Sequence, residues 1–284
     1  MVRRPEDLIR GSVEVSSIQT MYQRLVQVID HPLSSASDVG KVIAEDPGLT
    51  ARLLRLVNSP IYGFPSRIET VSQAISIVGM TQLRDLAIGT SFIRLFTDVP
   101  SHLVDMDSFW RHSIACGLAA RLLAGQRREA NVERYMVAGL LHDIGRPIIF
   151  MRAPLESASA LLEASRTGQP LFEVEQKLLS FHHGAVGAAL LERWRLPTVL
   201  VECAAWHHAP RLASRFPGEA AVVHVADIIA NALQLGSSGE HRVPRFDPAA
   251  WDAIDLSPSV LPGLLKQLEF QFVHAVAAIL GSEH

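Results

Sequence analysis

The stretch NVERYMVAGLLHDIGRPII, residues 131–149, decides the reading of the fold. Tyr135, Ala138 and His142 recur at i, i+3 and i+7, the spacing that stacks side chains on one face of an α-helix. Asp143 follows where that helix is expected to stop, and Gly145 then Pro147 mark the stop. The pattern puts an imidazole in the last turn of a buried helix and a carboxylate just beyond it. A metal ion at this point would take one ligand from within the helix and one from its end.

Outward from this stretch, alternating two-residue patterns are scarce and helical periods recur. Ser16 or Ser17 is placed to cap a helix carrying Ile18, Met21, Leu25 and Ile29, stopped by His31-Pro32. Ser37 or Asp38 caps a second helix, with Val39, Val42 and Ile43 inward, broken at Asp46-Pro47-Gly48. A third spans 49–57 and ends in Asn58-Ser59-Pro60. Thr70 caps a fourth over 71–78, Gly79 ends it, and Thr81 opens a fifth reaching about Phe96. Past a seam at 97–108, helices are expected at 108–124, 131–142, 155–167, 171–181, 184–194, 197–208 and 219–234. Residues 235–250, LGSSGEHRVPRFDPAA, read as a loop rich in breakers. From 258 to 280, Leu261, Leu264, Leu265, Leu268, Phe272, Val276 and Ile279 form a helical stripe for the chain's own core or for a dimer face. The expected class is all-α. Its expected parts are an N-terminal segment over 1–16, a helical lobe over 17–100, a second helical lobe over 101–235, and a loop with C-terminal helices over 236–284.

Histidine placement carries the chemistry. Of 12 histidines, seven lie between Trp110 and Asp227: His112, His142, His182, His183, His207, His208 and His224. His112 shares an inward stripe with Phe109 and Cys116, and His207-His208 close the helix that begins at Pro197. On the helix over 219–234, His224, Asp227 and Asn231 form a polar stripe opposite Val222, Val225, Ile229 and Leu233. A carboxylate in so apolar a segment needs a partner, because burying it alone costs several kcal/mol. Imidazole and carboxylate together suit Zn, Fe, Mn or Ni. The plainer alternatives are a hydrogen-bonded core, with Asp227 pairing His224 on its own helix, and solvent-facing or backbone-bonded positions for His31, His102, His182, His241, His274 and His284.

Composition bounds the partners. Lys+Arg number 26 and Asp+Glu 29, a net charge of −3, so nothing favours nucleic acid or an anionic membrane. Hydrophobic residues make up 48% and charged residues 19%, which excludes a disordered chain. Cys116 and Cys203 make no disulfide framework and no CxxC pair, and no apolar run suits a secretory signal or a transmembrane helix. A cytoplasmic protein is the expectation.

SDVGKVIAEDPGLTARLLRLVNSPIYG (37–63) and IETVSQAISIVGMTQLRDLAI (68–88) resemble the HDOD domain, the HD-related output domain of bacterial signalling proteins. VAGLLHDIGRPII, HHGAVGAALLERWRLP (182–197), AAWHH (204–208) and HVADIIANAL (224–233) resemble the HD-type portion of the same family. The likeness spans roughly 17–235. It extends to HD phosphohydrolases and HD-GYP phosphodiesterases, and implies a metal set of His112, His142, Asp143, His183, His207, His208 and Asp227, holding one or two ions. In such enzymes metal-activated water attacks a phosphate. This chain departs from them: Arg146 stands where the cyclic-dinucleotide enzymes typically have lysine, no GYP segment follows the double histidine, and Ser108 stands where some relatives offer glutamate.

HDOD proteins are generally regarded as regulatory modules that have given up hydrolysis. The expected function is therefore a non-catalytic signalling protein acting through a protein partner or a ligand such as a nucleotide, with a retained metal centre and the C-terminal helix available for self-association. The alternative is a metal-dependent phosphohydrolase acting on a nucleotide or cyclic dinucleotide, with Asp143 and Arg146 catalytic and Arg111 and Lys177 as further positive groups near the phosphate. Ile61, Tyr62 and Phe64 lie among turn residues. They serve either as a plug between the lobes or as a contact patch.

Overall fold

Helix starts along the chain are set by short polar side chains. Ser35 accepts from the Asp38 N–H while Asp38 reaches back to the Ser35 N–H, and Thr70 and Gln73 form the same reciprocal pair. Asp46 accepts from the Leu49 N–H. The computed structural model describes residues 4–10, 23–29, 31, 33–94, 96, 98–240 and 242–281. Over these the chain is helical, with no strand. The helices are α1 (Pro5–Ile9), α2 (23–29), α3 (Ala36–Ala44), α4 (Pro47–Val57), α5 (Val71–Val78), α6 (Met80–Ser91), α7 (Met106–Gln126) and α8 (Val132–Leu141). They continue as α9 (Gly145–Arg152), α10 (Pro154–Thr167), α11 (Leu171–Leu179), α12 (His183–Arg193), α13 (Thr198–Trp206), α14 (Pro217–Ala232), α15 (Pro248–Ile254) and α16 (Leu261–Ile279). None of these helices is long and apolar enough to cross a membrane.

Several boundaries differ from the expected ones, each for a local reason. Ser35 caps α3, with Asp38 as its partner inside the first turn, so neither Ser37 nor Asp38 is the cap. Asp46-Pro47 ends one helix and starts the next, because proline is tolerated in a first turn that needs no i−4 donor. The same tolerance lets α9 begin at Gly145 with Pro147 in its first turn, where the sequence suggested only a stop. α6 starts at Met80 rather than Thr81, and α15 occupies the end of the stretch expected to be loop. Ser16, Ser17, Ile18, Met21, Pro32, His241 and His284 lie outside the described residues; Leu25 is buried.

Helix α7 is the axis of the molecule. Phe109, His112, Ile114, Cys116, Leu118, Ala119 and Leu123 are buried along it, and it packs on α8, α14 and α16. One continuous apolar core joins residues from Leu8 of α1 to Ile279 of α16. The stripe of α16 is used inside the chain: Leu264, Leu268, Val276 and Ile279 are buried, the helix lies on α7 and α4, and Arg55 Nε donates to the Ala278 carbonyl at 3.0 Å. The turn after α4 packs back on α7. Ile61 is buried, Tyr62 stacks on Phe64, and the Arg121 guanidinium of α7 sits 4.9 Å from the Tyr62 ring centroid while Arg121 pairs with Glu133 of α8 at 2.9 Å.

Two crossings are close enough to require glycine. A Cβ on Gly139 would lie 2.8 Å from the carbonyl of Cys116, so α8 meets α7 backbone to backbone. A Cβ on Gly145 would lie 2.1 Å from the His183 carbonyl oxygen and 2.6 Å from Gly187 N, so the start of α9 rests on α12. These approaches bring His142 towards His112 and Asp143 towards His183. Gly145→Ala is therefore expected to destabilise the protein by about 2–3 kcal/mol. Gly125→Ala, whose Cβ meets nothing within 4 Å, should be neutral or stabilising by up to about 1 kcal/mol. Urea unfolding of the two variants checks this, and equal midpoints would refute the packing argument.

Candidate metal centre

Five segments deliver the seven residues singled out from the sequence to one point. His112 comes from the second turn of α7, His142 and Asp143 from the end of α8, His183 from the first position of α12, His207 and His208 from the end of α13, and Asp227 from the middle of α14. His142 and His207 each stand just past the last residue of a helix. Each ring directs Nδ1 at the carbonyl three residues back, Gly139 O at 2.6 Å and Ala204 O at 3.0 Å. That bond fixes a proton on Nδ1 and turns Nε2 towards the centre. His183 is oriented by Glu175, whose Oε2 accepts from both the His183 N–H at 2.9 Å and Nδ1 at 2.6 Å.

Asp143 lies between two groups of donors. Its Oδ1 is 3.0 Å from His183 Nε2 and 3.6 Å from His207 Nε2, and His208 Nε2 is 3.0 Å from His183 Nε2. Its Oδ2 is 3.4 Å from His142 Nε2 and 3.9 Å from His112 Nε2. Asp227 Oδ1 closes the second group, 3.1 Å from His112 Nε2 and 3.5 Å from His142 Nε2, and accepts from Asn231 Nδ2 at 2.7 Å. Within each set — Asp143, His183, His207, His208 and His112, His142, Asp143 — one ligand atom per residue lies within 4.8 Å of the others.

A metal fits this set on two grounds. His112 Nε2, His142 Nε2 and Asp143 Oδ1 are buried and, despite their ion-pair contacts, make no well-formed hydrogen bond, although all three turn to the same place. Buried polar atoms left in this way cost about 1–3 kcal/mol each unless something binds them. The charges agree. Burial works against ionised carboxylates here, yet Arg146, His142 and His183 hold Asp143 well below the usual range, and the close His112 and His142 rings do the same for Asp227. Burial pushes His207 and His208 well below ordinary histidine, leaving them neutral donors. For His142, Asp143 outweighs the opposing effect of burial and raises the ring well above its ordinary range. Two ionised carboxylates thus stand where imidazoles and Arg146 balance their charge, and divalent ions with imidazole and carboxylate ligands would take over that balance from the rings. His112 Nδ1, by contrast, meets no acceptor.

The remaining histidines have other tasks. His224 does not pair with Asp227: its Nδ1 donates to the His207 carbonyl at 2.7 Å and its Nε2 accepts from the Asp247 N–H at 3.1 Å. His182 is half-buried rather than outward; it caps α12 by accepting from the Gly184 N–H, and burial lowers it to about 4. Arg146 lies behind Asp143, with Nε 3.2 Å from Oδ1, and Nη1 donates to the Ser238 carbonyl at 3.3 Å. Lys177 is exposed and donates to Gln169, while Arg111 pairs with Asp107.

Three features escaped the sequence reading. Glu175 shares the buried face of α11 with Leu171, Val174 and Leu179, and a carboxylate on so apolar a stripe is a usable signal for an orienting residue. Phe172 stacks on His208, with centroids 4.1 Å apart. Residues 237–240 strap across the site. The Ser237 N–H donates to Ser108 O and Oγ, Ser238 O accepts from Arg146, and Glu240 accepts from the Leu171 N–H at the start of α11. Only contacts across the fold place that strap, so breaker-rich composition could not reveal it.

The sequence matches the HDOD domain model over residues 15–210. A protein of Treponema pallidum (strain Nichols), described as uncharacterized, is 26% identical over 199 residues, which is 69% of this chain; the chain spans only 38% of that curated relative's length. Among solved structures, an HDOD domain protein of unknown function from Geobacter sulfurreducens superposes with TM-score 0.77 at 23% identity, over 97% of this chain and 95% of its own. A provisionally named phosphohydrolase from Shewanella amazonensis gives 0.70 at 22% identity, over 95% and 98%. A provisionally named signal transduction protein from Marinobacter aquaeolei gives 0.73 at 21% identity, over 100% and 62%. At these identities the likeness to solved structures is one of fold. With the family model matching over two thirds of its length, the chain belongs to the HDOD domain family.

Proposed function

We propose that this protein is a regulatory module of bacterial signal transduction that holds one or two divalent transition-metal ions in its His/Asp cluster. In this reading it works by binding a signalling partner and has no phosphodiester turnover of its own. The enclosure of the donor set carries the reading. His112, His142, His183 and His207 are fully buried, Phe172 stacks on the half-buried His208, and the 237–240 strap ties α7, α9 and α11 together beside them. Hydrolysis of a phosphoester demands a coordination position open to water and a positive group free to meet developing charge. Arg146, the buried cation at the centre, is committed to Asp143 and to the Ser238 carbonyl.

Asp143, His183, His207 and His208 would hold one ion, and His112, His142, Asp143 and Asp227 the other. Ions there would neutralise the two carboxylates and lock five segments together; in a hydrolytic relative the same ions would activate water. The surrounding residues orient the donors: Glu175 sets the His183 ring, and Arg146 keeps Asp143 ionised. The seven-residue donor set with a shared carboxylate also favours a second reading, a metal-dependent phosphohydrolase, in keeping with the name given to the Shewanella neighbour.

Elemental analysis of purified protein is expected to find about one or two transition-metal ions per chain. No metal, together with no thermal shift on adding Zn, Fe, Mn or Ni, would leave only a hydrogen-bonded core. Glu175→Gln keeps the shape of its side chain and should weaken metal binding about 10–100-fold in chelator competition; unchanged affinity would remove His183 from the ligand set. Turnover of cyclic dinucleotides by the metal-loaded protein should be negligible. Robust hydrolysis abolished by Asp143→Ala would replace the regulatory reading with the enzymatic one.

A further inference from the structure

A second cavity lies at the opposite ends of the helices that carry the metal donors. It has a volume of about 210 Å³ and is lined by Arg84 and Asp85 of α6, Arg134 and Val137 of α8, Pro197 to Leu200 at the start of α13, and Arg215 and Phe216 of the following turn. Arg134 stands eight residues before His142, and Thr198 nine before His207. At 1.5 Å per residue the cavity is about 12–14 Å from the metal centre.

Its charge is concentrated and pre-oriented. Arg84 directs Nε and Nη2 at Asp85 Oδ1, at 3.0 and 2.8 Å, and Asn131 Nδ2 donates to the other oxygen at 3.0 Å. The one acid of the lining is thereby consumed while holding an arginine in place. Glu202 of α13, outside the lining, is occupied by the N–H groups of Arg215 and Phe216 and by the Ser214 hydroxyl. The Arg215 guanidinium lies 5.5 Å from the Phe216 ring centroid and helps to lower Glu202 electrostatically, while no salt bridge engages Arg134 or Arg215 among the described residues. No side chain caps the N-terminus of α13. Guanidinium forks match phosphate oxygens geometrically, and three around one cavity in a chain of net negative charge are an anion-binding arrangement. Val137, Val199, Leu200 and Phe216 supply an apolar wall beside them.

We propose that this cavity binds the phosphoryl group of a small organic phosphate, with Arg84, Arg134 and Arg215 as its ligands and the apolar wall against the rest of the molecule. The site is separate from the metal centre, and the two are joined by α8 and α13.

Calorimetric titration of the metal-loaded protein with inorganic phosphate, in a low-salt chloride buffer, tests this. One site per chain is expected, weakened about tenfold or more by either Arg134→Gln or Arg215→Gln and unchanged by Arg166→Gln on α10. Arg215 is exposed and Arg134 half-buried with no salt bridge among the described residues, and their variants should keep the parent's unfolding temperature. Binding that survives both substitutions would place the anion elsewhere, at the metal ions above all, and overturn the proposal. So would the absence of binding up to about 10 mM phosphate.

Discussion

The structure turns on one buried carboxylate. Asp143 faces imidazoles on both sides, with one oxygen towards His183 and His207 and the other towards His142 and His112. An ionised carboxylate in an apolar interior is costly unless opposite charge and hydrogen-bond donors surround it. Arg146 meets that requirement from behind, and metal ions would meet it from in front. Removing either side would leave a buried charge uncompensated, so the charge balance at Asp143 links the packing of α8, α9, α12 and α13.

The helices are arranged to make that balance attainable. Five of the seven donors stand at helix ends, where a side chain can turn inward while its backbone starts or finishes a helix. At those ends the local chain also sets the ring, as with His142 on Gly139 and His207 on Ala204. Backbone-to-backbone crossings at Gly139 and Gly145 bring the ends close enough to meet. The long axis α7 then carries His112 into the cluster while spending most of its surface on core. Phe172 and the strap pack beside the centre and hold its donors in place.

Much of this was legible in the sequence, because it depends on spacing along single helices. The 3.6-residue period made the class all-α, and Phe109, His112 and Cys116 or Tyr135, Ala138 and His142 put imidazoles on inward faces. What stayed hidden depends on contacts between distant segments. Glu175 binds His183 through a helix start, Arg146 reaches Ser238, and Ser237 reaches Ser108 across a span of about 130 residues. The run from Gly145 looked like a stop because Gly and Pro usually punctuate helices, whereas here both sit where a first turn tolerates them. The pairing of Asp227 with His224 was a fair expectation from one helix face, but His224 is drawn instead to the His207 carbonyl.

Anomalous X-ray diffraction from crystals of the metal-loaded protein tests the central claim most directly. The account predicts that every strong peak in the cluster lies within about 2.0–2.2 Å of a carboxylate oxygen of Asp143, flanked by His183, His207 and His208 or by His112, His142 and Asp227. Metal-loaded crystals whose peaks all lie away from Asp143, with the seven side chains bonded only to one another, would contradict it.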